Sequence, residues 1–165
     1  VRVLRGVSSA AGCRLVVGPM KKERRAIEKA KLAYGGDFGL IKDCFRVSIV
    51  GDTMAQLVAA ARALLDPGLA VRALRIKNRL SRHYGAELLS AGYRDVQLVA
   101  TIPGGSGLLV EVQLHLMAFF EHKSRVGGEV DKSGQTGHAR YIAWRTMKER
   151  EKWRLTERLK GGTAA

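Results

Sequence analysis

Two neighbouring stretches with alternating polar and apolar residues constrain the fold of this chain most. They span residues 92–98 and 110–116, and a Gly-rich segment that begins at Pro103 separates them. Alternation with period two predicts β-strands, because successive side chains of a strand point to opposite faces. The segment between them is typical of a hairpin loop. The sequence therefore predicts a hairpin with one apolar face against a core and one polar face.

The polar face of this predicted hairpin carries an ordered set of side chains. Its members are Tyr93, Asp95 and Gln97 on the first strand, and Glu111, Gln113 and His115 on the second. Exposed sheet faces usually carry Lys, Thr and Glu, whereas this set combines carboxylates, amides, an aromatic ring and an imidazole. Spacing alone leaves two interpretations open: a solvent-facing side of a sheet, or a surface with a chemical role.

The charge of the chain restricts its partners. With 165 residues the chain is long enough for one domain with a real core. It has 29 Lys and Arg against 15 Asp and Glu, a net charge of +14 and a pI near 10.4. Such an excess favours polyanions: nucleotides, RNA, DNA or an anionic membrane surface. No apolar run approaches the roughly 20 residues that a membrane span needs.

The two cysteines and the first residue bear on localisation. Cys13 and Cys44 do not form a disulfide framework, which favours a reducing compartment. Cys44 is expected in the core of an apolar strand. The chain begins at Val1, so we expect either a removed leader or an internal start. Because the chain is so basic, we expect it in the mitochondrial matrix or another organelle and not among secreted proteins.

The rest of the chain alternates between strand-like and helix-like segments. Strands are predicted at 13–17, 45–50 and 69–77, and helices at 21–34, 53–65, 118–123 and 138–160, with a loop at 124–137 and no firm structure at 1–12. This order predicts an α/β (α+β) domain with a mixed sheet of about five strands flanked by helices. We expect the domain to cover residues 1–147 and a charged helical extension to cover 148–165, at the end of a long basic C-terminal helix.

Two of the predicted helices carry specific signals. Gly35 and Gly36 end the first, and Thr53 and Gln56 have the spacing of a capping box at the start of the second. The second helix should bury an apolar stripe. The stripe consists of Met54, Leu57, Val58, Ala61, Leu64 and Leu65.

Three cations recur every four residues in the first of these helices. They are Lys21, Arg25 and Lys29, and this spacing places them on one helical face. A solvated charged face and a phosphate-binding ridge both fit the pattern, and the spacing does not decide between them.

Five short motifs, taken in order, resemble the synthetase domain of RelA/SpoT proteins, the alarmone synthetases. They are Lys42-Asp43-x-x-Arg46, Lys77-Asn78-Arg79, Gly92-Tyr93-Arg94-Asp95, Glu111-Val112-Gln113-Leu114 and Gly137-His138-x-x-Tyr141. The resemblance is collinear from about residue 12 to 145, and the variants look most like divergent eukaryotic members. It implies a nucleotidyltransferase-like fold. It also implies an enzyme that transfers the pyrophosphate of ATP to the 3′-hydroxyl of GDP or GTP.

The resemblance also implies roles for individual residues. Asp43 would hold Mg²⁺, and Glu111 would orient the metal or accept the proton of the attacking hydroxyl. Tyr93 would stack on the guanine of the acceptor. The phosphate-binding cations would be Lys21, Arg25, Lys29, Arg46 and Lys77. Gln113 and His138 would support these groups.

An alternative of a different class stays open. Pro19 stands where the family's ATP loop carries Arg, and Asn78 replaces the Asp that usually follows Lys77. The positive charge also extends beyond the implied site, with a net charge of +7 over residues 1–34 and +5 over 138–160. In this alternative the chain is a catalytically silent member of the fold. It would act as a basic structural or RNA-contacting subunit of a large organellar assembly such as a mitochondrial ribosome.

Overall fold

The computed structural model describes residues 1–69, 71–85, 90, 93–101, 109–124, 147 and 151. Its backbone contacts divide the chain into two compact units. The first, called the sheet unit below, consists of Val1–Asn78 and Asp95–Met117. The second consists of Arg79–Arg94 and Ala118–Ala165. Each unit is described by itself.

Between residues 13 and 124, helices and strands follow one another in the order that the sequence pattern predicts, and a helix that it did not predict precedes them. They are α1 (Arg2–Ala10), β1 (Arg14–Val17), α2 (Glu23–Tyr34), β2 (Phe45–Gly51), α3 (Met54–Leu64), β3 (Arg72–Asn78), β4 (Val96–Thr101), β5 (Leu109–Leu116) and α4 (Met117–Ser124). Short 3-10 turns lie at Phe38–Leu40 and Pro67–Leu69. None of the helices in the described part of the chain is long and apolar enough to span a membrane.

The five strands form one mixed sheet in the order β1-β2-β5-β4-β3. β2 and β5 are parallel, and the other three pairs are antiparallel. The register pairs Leu98 with Val112 and Gln97 with Gln113 across β4 and β5. This pairing confirms the predicted mixed sheet and the antiparallel pairing of the two stretches. Gln97, Glu111, Gln113 and His115 lie on the strands as predicted, whereas Tyr93 and Asp95 precede β4.

One face of the sheet packs against α3 and forms the core. Val47, Ile49, Leu98, Val112 and Leu114 are at most 2% exposed, and α3 contacts both β2 and β5. Burying an aliphatic side chain of this size contributes about 1.5–3 kcal/mol. β2 and β5 are therefore held in place by packing against α3 on one face, and their opposite face can carry polar groups.

The capping box at the start of α3 is present as predicted. Thr53 Oγ1 accepts the N–H of Gln56 (3.3 Å), and Gln56 Oε1 accepts the N–H of Thr53 (3.0 Å). The same side chain donates through Nε2 to the carbonyl of Gly12 (3.0 Å), where the backbone turns at φ 65°. Gln56 therefore joins the start of α3 to the turn between α1 and β1.

Two expectations about helices were wrong. Residues 2–10 form α1, which the Gly and Ser content concealed, and the helix is stabilised because Leu4 and Val7 are buried. In α3 the buried side is narrower than predicted. It consists of Leu57, Ala60 and Leu64, whereas Met54, Val58 and Leu65 are exposed. The predicted stripe covered two adjacent faces of the helix, and only one of them contacts the sheet.

Two expectations about strand ends also need correction. β4 begins at Val96 and not at residue 92, because the N–H of Tyr93 bonds to the carbonyl of Ser90 in a turn. Cys44 lies in the turn before β2 and is only half-buried, so it is not a strand core residue. The predicted loop at 124–137 and the helix at 138–160, with its extension, lie almost wholly outside the described residues.

Candidate active site

The face of the sheet opposite α3 carries a row of polar residues across four strands. Ser48 on β2 pairs in register with Gln113 on β5, Gln113 pairs with Gln97 on β4, and Gln97 pairs with Lys77 on β3. Neighbouring strands lie about 4.8 Å apart. The row therefore offers hydroxyl, amide and ammonium groups at regular intervals on one surface.

A second row, two residues closer to the start of β5, brings opposite charges together. Arg46 on β2 is the register partner of Glu111, and Val99 and Arg75 continue the row on β4 and β3. Glu111 is 7% exposed, whereas Arg46 is exposed. A nearly buried carboxylate thus lies one strand away from a guanidinium group that solvent and ligands can reach.

Glu111 belongs to a chain of hydrogen bonds along β5. Gln113 Nε2 donates to Glu111 Oε1 at 2.6 Å, and Gln113 Oε1 lies 3.2 Å from His115 Nε2. Because an amide oxygen can only accept, this contact is a hydrogen bond in the tautomer of His115 that carries its proton on Nε2. All three side chains are buried, and the spacing of two residues places them on the same face of the strand.

Asp43, two residues before β2, is held by two lysines. Lys21 Nζ lies 2.7 Å from Oδ2 of Asp43, and Lys29 Nζ lies 2.8 Å from Oδ1. The backbone N–H of Lys21 bonds to the carbonyl of Cys44 (3.0 Å), which fixes this segment beside Asp43. Lys29 reaches the same carboxylate from α2. The cluster holds two positive charges and one negative charge in a half-buried place.

Comparisons with known proteins identify the fold. No protein-family model and no curated protein sequence matches the chain. Among solved structures, the complex of the type VI effector Tas1 with its immunity protein matches 89% of this chain and 77% of that one, at 23% identity and a TM-score of 0.67. Small alarmone synthetase 1 from Bacillus subtilis, bound to its product pppGpp, matches 98% and 89%, at 18% identity and a TM-score of 0.60. The chain has the RelA/SpoT synthetase fold.

A further RelA/SpoT-type structure supports the same conclusion. A GTP pyrophosphokinase family protein from Streptococcus pneumoniae matches 98% of this chain and 88% of that one, at 16% identity and a TM-score of 0.51. The predicted nucleotidyltransferase-like fold is therefore confirmed. That the chain is a divergent eukaryotic-type member stays a prediction.

Within this RelA/SpoT fold, the structure brings together part of the predicted cation ridge. Lys21 and Lys29 meet at Asp43, but Arg25 is 70% exposed in its side chain and pairs with Glu28 at 2.8 Å. α2 begins at Glu23, so Lys21 lies before the helix and the three cations do not share a helical face. Lys21 and Lys29 converge because the turn before β2 brings Asp43 between them.

The two predicted carboxylates belong to neighbouring segments of the sheet unit: Asp43 lies in the turn before β2, and Glu111 lies on β5. Asp43 comes three residues before Arg46, and Arg46 pairs with Glu111 across the parallel strands β2 and β5. Both carboxylates therefore belong to the same end of this strand pair. Their roles, like those of Arg46, Lys77 and Gln113, stay predictions.

Tyr93 lies in the second unit, beside a buried arginine. The Arg79 guanidinium carbon is 5.6 Å from the centre of the Tyr93 ring, and Arg79 is 8% exposed. Arg94 Nη1 donates to the carbonyl of Arg79 at 3.5 Å. An arginine over an aromatic face stabilises the ring's position through a cation–π interaction. His138 lies outside the described residues.

The sequence left His115 as either a metal ligand or a hydrogen-bonded neighbour on the Glu/Gln face, and it gave no role to Ser48 or Arg79. Alternation had already placed His115 on the same face as Glu111, so its position on that face was available from the sequence. Ser48 required the register between β2 and β5, which joins residues more than sixty positions apart. The contact of Arg79 with Tyr93 likewise depends on tertiary structure.

Replacing Asp43 by Asn is expected to reduce stability in a pH-dependent way. Burial opposes ionisation of Asp43, but hydrogen bonds and charges from Lys21 and Lys29 outweigh it and hold its pKa below the ordinary value. A lowered pKa stabilises the folded state above the unfolded-state value of about 3.9, and this stabilisation is lost as pH falls through the folded-state pKa.

Urea unfolding measures this effect. At pH 7 we expect Asp43→Asn to lower the free energy of unfolding by about 1 kcal/mol, because partly solvated ion pairs contribute little more. The two proteins should approach equal stability in acid. Asp52→Asn, an exposed position with the same charge change, is the control. A loss at Asp43 that is the same at every pH would contradict the ion-pair explanation.

Proposed function

We propose that this chain is an ATP-dependent pyrophosphokinase that transfers the pyrophosphate of ATP to the 3′-hydroxyl of GDP or GTP. The observation that carries the proposal is the cluster of Lys21, Lys29 and Asp43 just before the start of β2. The parallel neighbour of this strand, β5, carries Glu111 near the same end. Phosphoryl chemistry needs cations for developing negative charge and a carboxylate for the proton of the attacking hydroxyl. A structural neighbour with this fold binds pppGpp as its product.

In the proposed reaction the cation cluster binds the donor. The 3′-oxygen of the acceptor forms a bond to the β-phosphorus of ATP, the bond from that phosphorus to the α–β bridging oxygen breaks, and AMP leaves. Lys21, Lys29 and Arg46 bind phosphate oxygens, and Glu111 accepts the hydroxyl proton. Gln113 orients Glu111 through their 2.6 Å hydrogen bond. Lys77 contributes a further positive charge. Tyr93 and His138 belong to the second unit, and their roles at the guanine and in support of the site stay predictions from the family resemblance.

The donor atoms of the site fit Mg²⁺. This ion prefers carboxylate oxygens together with substrate phosphates and water. Among the described residues no group of three or more His, Cys, Asp or Glu could hold a metal by itself. Asp43 and Glu111 are the carboxylates that would hold it, and the bound ion would neutralise phosphate charge during transfer.

A labelling experiment tests the proposal. The purified chain is incubated with Mg²⁺, GDP or GTP, and ATP labelled either at the β-phosphate or at the α-phosphate. We expect the β-label to move to the guanine nucleotide and the α-label to appear in AMP. Release of ADP and phosphate without transfer, or no reaction with either acceptor, would overturn the proposal.

A silent basic subunit is the second candidate, and the distribution of charge favours it. Exposed cations lie on α1 and at the start of α2, in addition to the lysines at Asp43. They are Arg2, Arg5, Lys22 and Arg24. A subunit of a large organellar assembly would use them to contact RNA phosphates, and its affinity would fall steeply with salt. Nucleotide transfer by the isolated chain would speak against this candidate, and salt-sensitive RNA binding without transfer would support it.

A further inference from the structure

The chain of hydrogen bonds on β5 extends beyond the residues to which a role has been given. We propose that His115 is a positioning residue for the reaction and acts on Glu111 through Gln113. The inference rests on the proposed function, because it concerns the carboxylate that accepts the hydroxyl proton.

The side-chain amide of Gln113 can face Glu111 in two orientations. Its oxygen and nitrogen ends have nearly the same shape, so packing alone does not decide which end faces Glu111. With Nε2 toward Glu111, the amide donates to the carboxylate at 2.6 Å. With the ends exchanged, two acceptor oxygens would face each other, and the carboxylate would lose this donor.

With its proton on Nε2, His115 selects the productive orientation of the Gln113 amide. A protonated Nε2 can donate only to the oxygen end of Gln113, which lies 3.2 Å away. This contact turns the nitrogen end of the amide toward Glu111. His115 is fully buried and Gln113 is 9% exposed, so the hydrogen bond is stronger than it would be in water.

The strand itself makes this arrangement rigid. β5 lies between β2 and β4, so its backbone is hydrogen-bonded on both sides. His115 is the register partner of Val50, which is 1% exposed. Groups on a central strand hold their positions before substrate binds, and such preorganisation lowers the cost of reaching the transition state.

Three variants of His115 separate a positioning role from a packing role. His115→Leu removes the donor, His115→Gln keeps an N–H close to the position of Nε2, and the shorter His115→Asn keeps an amide that does not reach Gln113. We expect kcat to fall about 10-fold in the Leu and Asn variants and to stay within about twofold of wild type in the Gln variant. KM for both nucleotides should change little. If the Leu variant does not fold, the contrast between Asn and Gln decides.

A double variant tests the route through Gln113. In a Gln113→Leu background the further change His115→Leu should not reduce kcat again, whereas independent effects would multiply. Equal losses of kcat in all three His115 variants, or multiplicative losses in the double variant, would overturn the proposal.

A measurement without turnover distinguishes this proposal from the proposed function. In ¹⁵N-labelled protein the side-chain amide protons of Gln113 should exchange slowly in the wild type and in His115→Gln, and fast in His115→Asn. The same protection in all three proteins would overturn the positioning role. If the three proteins show the expected exchange pattern but the wild type transfers no pyrophosphate, the result would support the positioning of Glu111 and overturn the proposed reaction instead.

Discussion

Replacing Glu111 by Gln is expected to lower the rate of pyrophosphate transfer by at least about a hundredfold, the usual contribution of a general base. Glu111 is 7% exposed and lies one strand from Arg46, on the polar face of the sheet. An amide of the same size cannot accept the proton of the 3′-hydroxyl. Its oxygen can still accept the hydrogen bond of Gln113, so we expect the strand and its packing to be unchanged. Quenched-flow or steady-state product analysis gives the rate.

Two measurements accompany this variant. Equilibrium binding of ATP and of GDP is measured without Mg²⁺, because Glu111 would also help to hold that ion. Under this condition binding should change less than about fivefold, far below the general-base loss in rate, because Glu111 then acts on the hydroxyl proton and not on the phosphates. Glu23→Gln, an exposed position at the start of α2, removes the same charge and should retain full activity. Transfer at the wild-type rate by Glu111→Gln would remove this residue from the mechanism, and a loss of nucleotide binding equal to the loss of rate would give it a binding role instead.

Local patterns predicted those parts of the fold that depend on neighbours in the sequence. Alternation over 110–116 gave the two faces of β5, and the spacing of Thr53 and Gln56 gave the capping box of α3. Gly35 ends α2 with a left-handed residue at φ 59°, as a helix followed by two glycines predicts. In each case the hydrogen bonds or side-chain directions involved lie within about one turn or one strand.

Tertiary contacts decided what the sequence did not predict. α1 has little helix signal of its own, and the burial of Leu4 and Val7 stabilises it. The pairing of Lys21 with Asp43 joins residues 22 positions apart, and it depends on the hydrogen bond from Lys21 to the turn before β2. Regular spacing alone therefore grouped Lys21 with Arg25, whereas the fold separates them.

Replacing Lys21 and Lys29 together by Gln is expected to weaken ATP binding by roughly 100-fold at low salt. A hydrogen bond to a charged group contributes about 1.5–3 kcal/mol. We take the lower end for each lysine, because phosphate must compete with Asp43 for both ammonium groups, which lie 2.7 and 2.8 Å from its oxygens. Every 1.4 kcal/mol corresponds to a tenfold change in affinity, so two such losses give about two orders of magnitude.

The matched control changes the same number of charges elsewhere on the same segment. Lys22 and Lys31 are both exposed, and their double replacement by Gln leaves the lysines at Asp43 in place. We expect this control to bind ATP within about threefold of wild type, because exposed charges are strongly screened. Equal weakening in both double variants would mean that ATP responds to the total positive charge and not to a built site. That result would favour the diffuse polyanion surface of an RNA-contacting subunit over the cation cluster of an enzyme.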